Sequence, residues 1–190
     1  MTTTEPADKQ TLATRLIETL EERKELRGFM AVLRRAAAEV QPLRAYQAFS
    51  HLPNGVHDPA VQAVAILYSR HALHSETNRN LGKSLAEVVT KQFPRNEKNG
   101  IMVSTFDTRF NRLMTARNFN EIQTLLLRAW PLLARNSIPV DYKQLYRDLR
   151  DWSEDSGYFD DKKRDAVKIK WAKTYWGASE KKMSPEEKQV

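Results

Sequence analysis

Residues 58–68, Asp58-Pro-Ala-Val-Gln-Ala-Val-Ala-Ile-Leu-Tyr68, decide the fold class. Asp58 suits an N-cap, because its carboxylate can accept from the unpaired amides of a first helical turn. Pro59 then falls at the first helical position, where its missing N–H costs nothing and its φ is already helical. Val61, Val64, Ala65 and Tyr68 recur at spacings of three and four, which predicts a helix with an apolar stripe.

The same punctuation recurs in both directions. Upstream, Leu12, Leu16 and Leu20 fall four apart, with Ile17 and Leu26 widening the stripe. Gly28 is the expected break before a short helix holding Met30, Leu33 and Ala37. Pro42 opens a third helix with Leu43, Tyr46 and Phe49, and residues 51–56 form a turn cluster. Downstream of the polar stretch Ser75–Asn80, Leu81, Leu85, Val88 and Val89 mark a helix that Pro94 ends, and Arg95–Gly100 reads as a polar linker. Ser104 can cap a helix bearing Phe106, Phe110, Leu113 and Met114. Asn118 with Glu121 three residues on resembles a capping box before Ile122, Leu125, Leu126 and Ala129. Pro139 and Asp141 start a helix with Tyr142, Leu145, Leu149 and Trp152, and Asp155-Ser-Gly breaks it. A last helix holds Val167, Trp171, Ala172 and Tyr175 and stops near Gly177. Ile101-Met-Val is the one β-like run. The expectation is an all-α fold of two packed helical bundles, residues 10–94 and 101–177, with no significant sheet. A flexible N-terminal arm (1–9) and a flexible charged tail (178–190) flank them.

Composition narrows the function. The 190 residues contain no cysteine, so disulfides and thiolate chemistry are out. The N-terminus lacks an apolar signal core, and no run of apolar residues is long enough to span a bilayer; a cytoplasmic protein without membrane partners is expected. Formal charge is +7, with a pI near 9.6, which favours polyanionic partners. The excess is regional: residues 23–50 carry six basic and two acidic side chains, and 101–135 carry five and two, whereas 141–177 carry nine and eight.

Catalytic patterns are missing. Glycines at 28, 55, 82, 100, 157 and 177 are too scattered for a phosphate-cradling loop. His71 and His74 lie three apart and could share a helical face, but without HExxH or a third ligand they read as surface histidines; no metal and no cofactor is expected. Asp148, Asp151, Glu154, Asp155, Asp160 and Asp161 could hold Mg²⁺ for phosphodiester cleavage. Interleaved Arg147, Arg150, Lys162, Lys163 and Arg164 point instead to mutual neutralisation on a solvated face.

What remains is a set of arginines beside apolar stripes. Arg34 and Arg35 follow Val32-Leu33. Arg109 and Arg112 are surface neighbours on a helix anchored by Phe110 and Leu113. Arg117 continues that patch and Arg128 projects from the next helix. Guanidinium forks suit phosphate oxygens, although several could simply pair with Asp107, Glu121 or Glu39. Of the four tryptophans, Trp152 and Trp171 fall in phase with core positions. Trp130 and Trp176 lie near helix ends, and base stacking stays open for them.

Four stretches, in order, resemble the CasB family, the small subunit of type I-E CRISPR Cascade. They are Ala31-Val-Leu-Arg-Arg-Ala36, Asn80-Leu-Gly-Lys-Ser-Leu-Ala86, Asp107-Thr-Arg-Phe-Asn-Arg-Leu-Met114, and Asp148-Leu-Arg-Asp-Trp152 followed by Trp171-Ala-Lys-Thr-Tyr-Trp176. The likeness spans roughly residues 28–177. Lys83 stands where the family has arginine, keeping charge but losing the bidentate fork. The resemblance implies a non-enzymatic, all-helical subunit without cofactor. It would sit in two copies against the Cascade backbone and other effector subunits of the CRISPR RNA-containing complex. Its basic surface would touch target DNA, including the displaced strand, and stabilise the R-loop in antiviral defence. The nucleic-acid-binding residues so nominated are Arg34, Arg35, Lys83, Arg109, Arg112, Arg117 and Arg128, with Arg164 and Lys168 behind them. Rival readings are a free-standing helical DNA-binding regulator, a scaffold meeting acidic proteins, and a small enzyme built on the 148–161 acids.

Overall fold

The computed structural model describes residues 5–37, 42–77, 79–98, 101–153 and 161–177. Among these, nearly every segment is helix: α1 (Glu5–Arg23), α2 (Arg27–Ala36), α3 (Pro42–Phe49), α4 (Pro59–Arg70), α5 (Leu81–Gln92), α6 (Asp107–Thr115), α7 (Phe119–Arg135), α8 (Tyr142–Ser153) and α9 (Asp161–Gly177). The fold is all-α. One small hairpin interrupts the helices where a polar linker was expected: β1 (Asn96–Lys98) pairs antiparallel with β2 (Ile101–Val103), Asn96 opposite Val103.

Side-chain caps start α4, α7 and α8 where the sequence placed them. Asp58 Oδ1 accepts from Ala60 N at 2.8 Å, with Pro59 at the first helical position of α4. Asn118 Oδ1 accepts from Glu121 N at 2.9 Å to open α7, and the Glu121 carboxylate reaches back to Arg117 N at 2.8 Å, one residue beyond the usual capping box. Asp141 Oδ1 takes Gln144 N at 2.9 Å at the head of α8. Ser104, expected to cap α6, lies too early: the N-cap position is Phe106, without a side-chain cap. Ser104 Oγ accepts from Phe106 N at 3.2 Å while Asp107 Oδ2 accepts from Ser104 N at 2.7 Å, closing the turn ahead of the helix.

Helix α4 is buried almost all round, from Ala60 through Ser69, because α1, α2, α7 and α8 pack against it. Helix α9 lies along α5 and touches α8, and α1 also packs on α8, so helices from the two halves of the chain share one continuous core. Its largest fully buried members are Trp130, Trp171, Tyr68, Tyr142, Tyr146 and Tyr175.

Three buried carboxylates join elements distant in sequence. Asp58 Oδ2 accepts from Tyr146 Oη of α8 at 2.9 Å. Asp107 Oδ1 accepts from Tyr175 Oη of α9 at 2.7 Å, with Arg95 at 3.5 Å. Asp148 Oδ2 accepts from Trp171 Nε1 at 2.7 Å, while its Oδ1 receives Gln144 Nε2 at 2.7 Å and Lys170 Nζ at 3.2 Å. Burial pushes the Asp148 carboxyl above its ordinary value even against those donors. Burial, with a carboxylate alongside, also pushes the Tyr146 and Tyr175 phenols up, so both stay neutral hydrogen-bond donors.

Three further expectations need correction, and two points left open by the sequence are settled. Gly28 lies inside α2; the chain turns earlier, at Lys24–Leu26. His71 and His74 share no helical face. Helix α4 ends at Arg70, because Tyr142 Oη bonds the His71 carbonyl and His74 forms a parallel bridge with Val140. Their rings are partly buried against the carbonyls of Ile138 (2.7 Å) and Val140 (3.2 Å). Asp148 is not on a solvated face but in the core. In α3, Ala45, Ala48 and Phe49 turn inward, leaving Leu43 at 85% exposure and Tyr46 at 53%. Trp130, ambiguous from its position, is fully buried. Glu154, Asp155 and Asp160 of the acidic run, and the break expected at Asp155-Ser-Gly, lie outside the described residues, as does Glu39.

Candidate nucleic-acid interface

Helix α6 builds the clearest part of a basic surface. Phe110 and Leu113 face the core, with the Tyr175 ring stacked on Phe110 at 3.7 Å. Arg109 and Arg112 therefore emerge on the opposite side, three residues apart and exposed. The acids that could have neutralised them are otherwise engaged: Asp107 is buried on Tyr175, and Glu121 caps the next helix. Among the described residues neither arginine has a charged partner.

Arg117 occupies the turn between α6 and α7. Its side chain is exposed, while its carbonyl accepts from Arg164 Nη1 of α9 at 2.7 Å. That bond brings Arg164 beside the α6–α7 turn, a proximity the sequence cannot show. Arg164 itself is largely covered and lies 3.9 Å from Asp165. Lys168 is still more of a packing residue. Its ammonium sits 5.4 Å from the centre of the Trp152 ring and 3.9 Å from Asp165. Arg128 stands on the outer face of α7, and Arg135, seven residues on, shares that face. Periodicity alone could have nominated Arg135.

Lys83 is exposed on the first turn of α5, its amide fixed by Asn80 Oδ1 at 3.1 Å. Beside it the backbones of α5 and α9 touch at Gly82, where a methyl group would run into the carbonyl of Trp171. The Asn80 side chain straps the same crossing, donating to Lys170 O at 3.2 Å and accepting from Thr174 Oγ1 at 2.6 Å.

Arg34 and Arg35 are exposed at the end of α2. Arg34 Nε donates to Ser69 O at 2.6 Å and Arg70 Nη2 donates to Arg34 O at 3.1 Å, so these two arginines interlock the ends of α2 and α4. Arg70, unremarked in the sequence, thus joins this second basic group.

These basic groups are mostly arginines, whose planar guanidiniums carry positive charge. Their forked donors suit anions. Among the described residues, no group of three or more His, Asp or Glu is placed to hold a metal ion. No described helix is long and apolar enough to cross a membrane.

The family model described as CRISPR-associated protein Cse2 matches residues 29–176. Among solved structures, this chain is similar to CasB from Thermobifida fusca, at 18% identity over 88% of this chain and 96% of that one, with a TM-score of 0.61. It is similar to CasB from Thermus thermophilus, at 21% identity over 87% and 97%, with a TM-score of 0.61. A chain of a structure described as a CRISPR RNA-guided surveillance complex matches at 22% identity over 91% and 96%, with a TM-score of 0.67. At such identities these likenesses speak to the fold. No curated protein matches the chain.

Proposed function

The chain belongs to the CRISPR-associated protein Cse2 family, and from that premise we propose that it is a non-catalytic small subunit of a type I-E CRISPR RNA-guided surveillance complex, acting in the cytoplasm in antiviral defence. Its partners are the Cascade backbone and other effector subunits, the CRISPR RNA they carry, a second copy of itself, and target DNA with its displaced strand. Its work is to hold nucleic-acid backbone and so stabilise the R-loop, while guide pairing reads the sequence.

The observation that carries this reading is the outer face of α6. Two exposed arginines stand side by side with no acid among the described residues to neutralise them, on a helix locked to the core through Phe110 and Leu113. Rigid support matters, because a guanidinium already positioned loses little entropy when it meets a phosphate. Arg117, Arg128 and Lys83 extend the same chemistry, and each neutralised phosphate adds a salt dependence near 0.7–0.9 in log–log slope.

The test is to tag the chain in its own host, purify it gently at low salt, and identify what accompanies it. A discrete RNA of guide length together with Cascade backbone subunits is the expected result. Recovery of the chain alone, or with unrelated proteins and no small RNA, would overturn the assignment.

A further inference from the structure

Helix α9 presents two stripes. Val167, Trp171 and Tyr175, four apart, are buried against α5 and α8. Opposite them, Lys162, Ala166, Ile169, Lys173 and Trp176 recur at spacings of four, three, four and three, and all are exposed. Ile169 is 54% exposed and Trp176 38%. From Lys162 to Trp176 this second stripe runs about 21 Å along the helix at ~1.5 Å per residue.

We propose that this outer stripe of α9 is a track for an unpaired nucleic-acid strand, with Trp176 as the platform on which a base stacks. The proposal rests on the nucleic-acid-binding reading above and gives it a second, chemically different site.

Charge selects the class of occupant. The described side chains of α9 include six cations, Lys162, Lys163, Arg164, Lys168, Lys170 and Lys173, and one carboxylate, Asp165. That carboxylate lies 3.9 Å from both Arg164 and Lys168, so its charge is locally compensated. Lys162 and Lys173 have no partner among the described residues. Basic residues interleaved with an exposed indole and a branched apolar side chain suit a polyanion that also offers flat apolar faces, which is an unpaired strand. A duplex hides those faces within its stack.

The geometry of Trp176 suits stacking. Its indole meets Tyr175 edge-on at 4.9 Å and 87°, and Phe110 edge-on at 6.2 Å and 87°. The Arg95 guanidinium lies 4.9 Å from the ring centre. Three core or half-buried groups therefore hold the indole while part of it faces solvent. The ring is ordered before any base arrives.

Trp130, Trp152 and Trp171 are buried, so Trp176 is the tryptophan that solvent-borne groups can reach. Titrating the full chain at low salt with oligothymidylate, an abasic strand of equal length, and a duplex gives the test. Tryptophan fluorescence is expected to be quenched by oligothymidylate and to respond little to the abasic strand or the duplex. Trp176→Ala is expected to bind oligothymidylate about tenfold more weakly with unchanged affinity for the abasic strand, and Trp176→Phe to recover most of the loss. Should Trp176→Ala fail to fold, quenching in the unaltered chain still decides the matter. If base-bearing and abasic strands bind equally without quenching, while Arg109→Gln/Arg112→Gln weakens both, the stacking site is overturned and the backbone-binding reading survives. No binding to any strand, as for a face that serves a protein partner, overturns the track and counts against the reading beneath it.

Discussion

Gly82→Ala separates local propensity from tertiary fit more sharply than any other single change here. By helix propensity alone the substitution should stabilise α5, by up to ~1 kcal/mol. The structure demands the opposite sign. The new methyl would press on the Trp171 carbonyl oxygen and on Thr174 Oγ1, and would lie 2.7 Å from the Trp171 carbonyl carbon, where ordinary contact begins at 3.4 Å. The backbone of α9 is the obstacle, so no side-chain rotation relieves it, and α5 and α9 must part by on the order of 1 Å. Overpacking of this kind costs ~1–3 kcal/mol. Parting the helices also stretches the Asn80 bonds to Lys170 O and Thr174 Oγ1, each contributing ~1 kcal/mol. After subtracting the propensity gain, a net loss of ~3 kcal/mol is expected. For a chain of this size that is a fall of about 6–12 °C in Tm, with a lower urea midpoint and an unchanged m-value. Paired urea and thermal melts measure it. A variant as stable as the parent, or more so, would refute the close crossing at Gly82.

Other outcomes follow from the same packing. Asp58→Ala removes the cap of α4 and leaves the Tyr146 hydroxyl without its acceptor, so urea melts should register a loss of ~2–3 kcal/mol. Asp148→Asn sets an amide NH₂ against donors from Gln144, Lys170 or Trp171 and should destabilise by ~1–3 kcal/mol at neutral pH. The Asp148 carboxyl is raised by burial, so the folded state takes up its proton before the unfolded chain does. The parent should therefore gain stability relative to Asp148→Asn as pH falls from neutral through the folded value towards 3.8; a gap that does not widen would contradict the burial. Arg109→Gln/Arg112→Gln should leave stability within ~0.5 kcal/mol, because neither side chain has a charged partner among the described residues. A larger loss in a thermal melt would mean that these arginines hold the fold.

Much of the fold was legible because it is written in local chemistry. Asp58-Pro59 and Asn118 act within three residues of themselves, and their caps form as the spacing predicts. The misreadings came from forces that act across the chain. Helix α4 ends at Arg70 because Tyr142, far along the chain, bonds the next carbonyl. Asp148 sits in a charged neighbourhood of sequence, yet Trp171 and Gln144 draw it into the core. In α3 the sequence left open which side chains turn inward: Ala45, Ala48 and Phe49 do, and Leu43 and Tyr46 stay exposed.

The basic surface divides in the same way. Arg109 and Arg112 were readable because Phe110 and Leu113 fix which side of α6 faces out. The bond from Arg164 to the Arg117 carbonyl and the interlock of Arg34 with Arg70 join residues dozens of positions apart, and no periodicity announces them. Trp176 was undecided until the other three tryptophans proved to be buried.

The most direct test of the central claim is the salt dependence of target-DNA binding by the assembled complex, with the parent chain and with Arg109→Gln/Arg112→Gln. Loss of two phosphate contacts should weaken binding and make the slope of log affinity against log salt shallower by about 1.4–1.8. An unchanged affinity and slope would contradict the claim that this face of α6 holds nucleic-acid backbone.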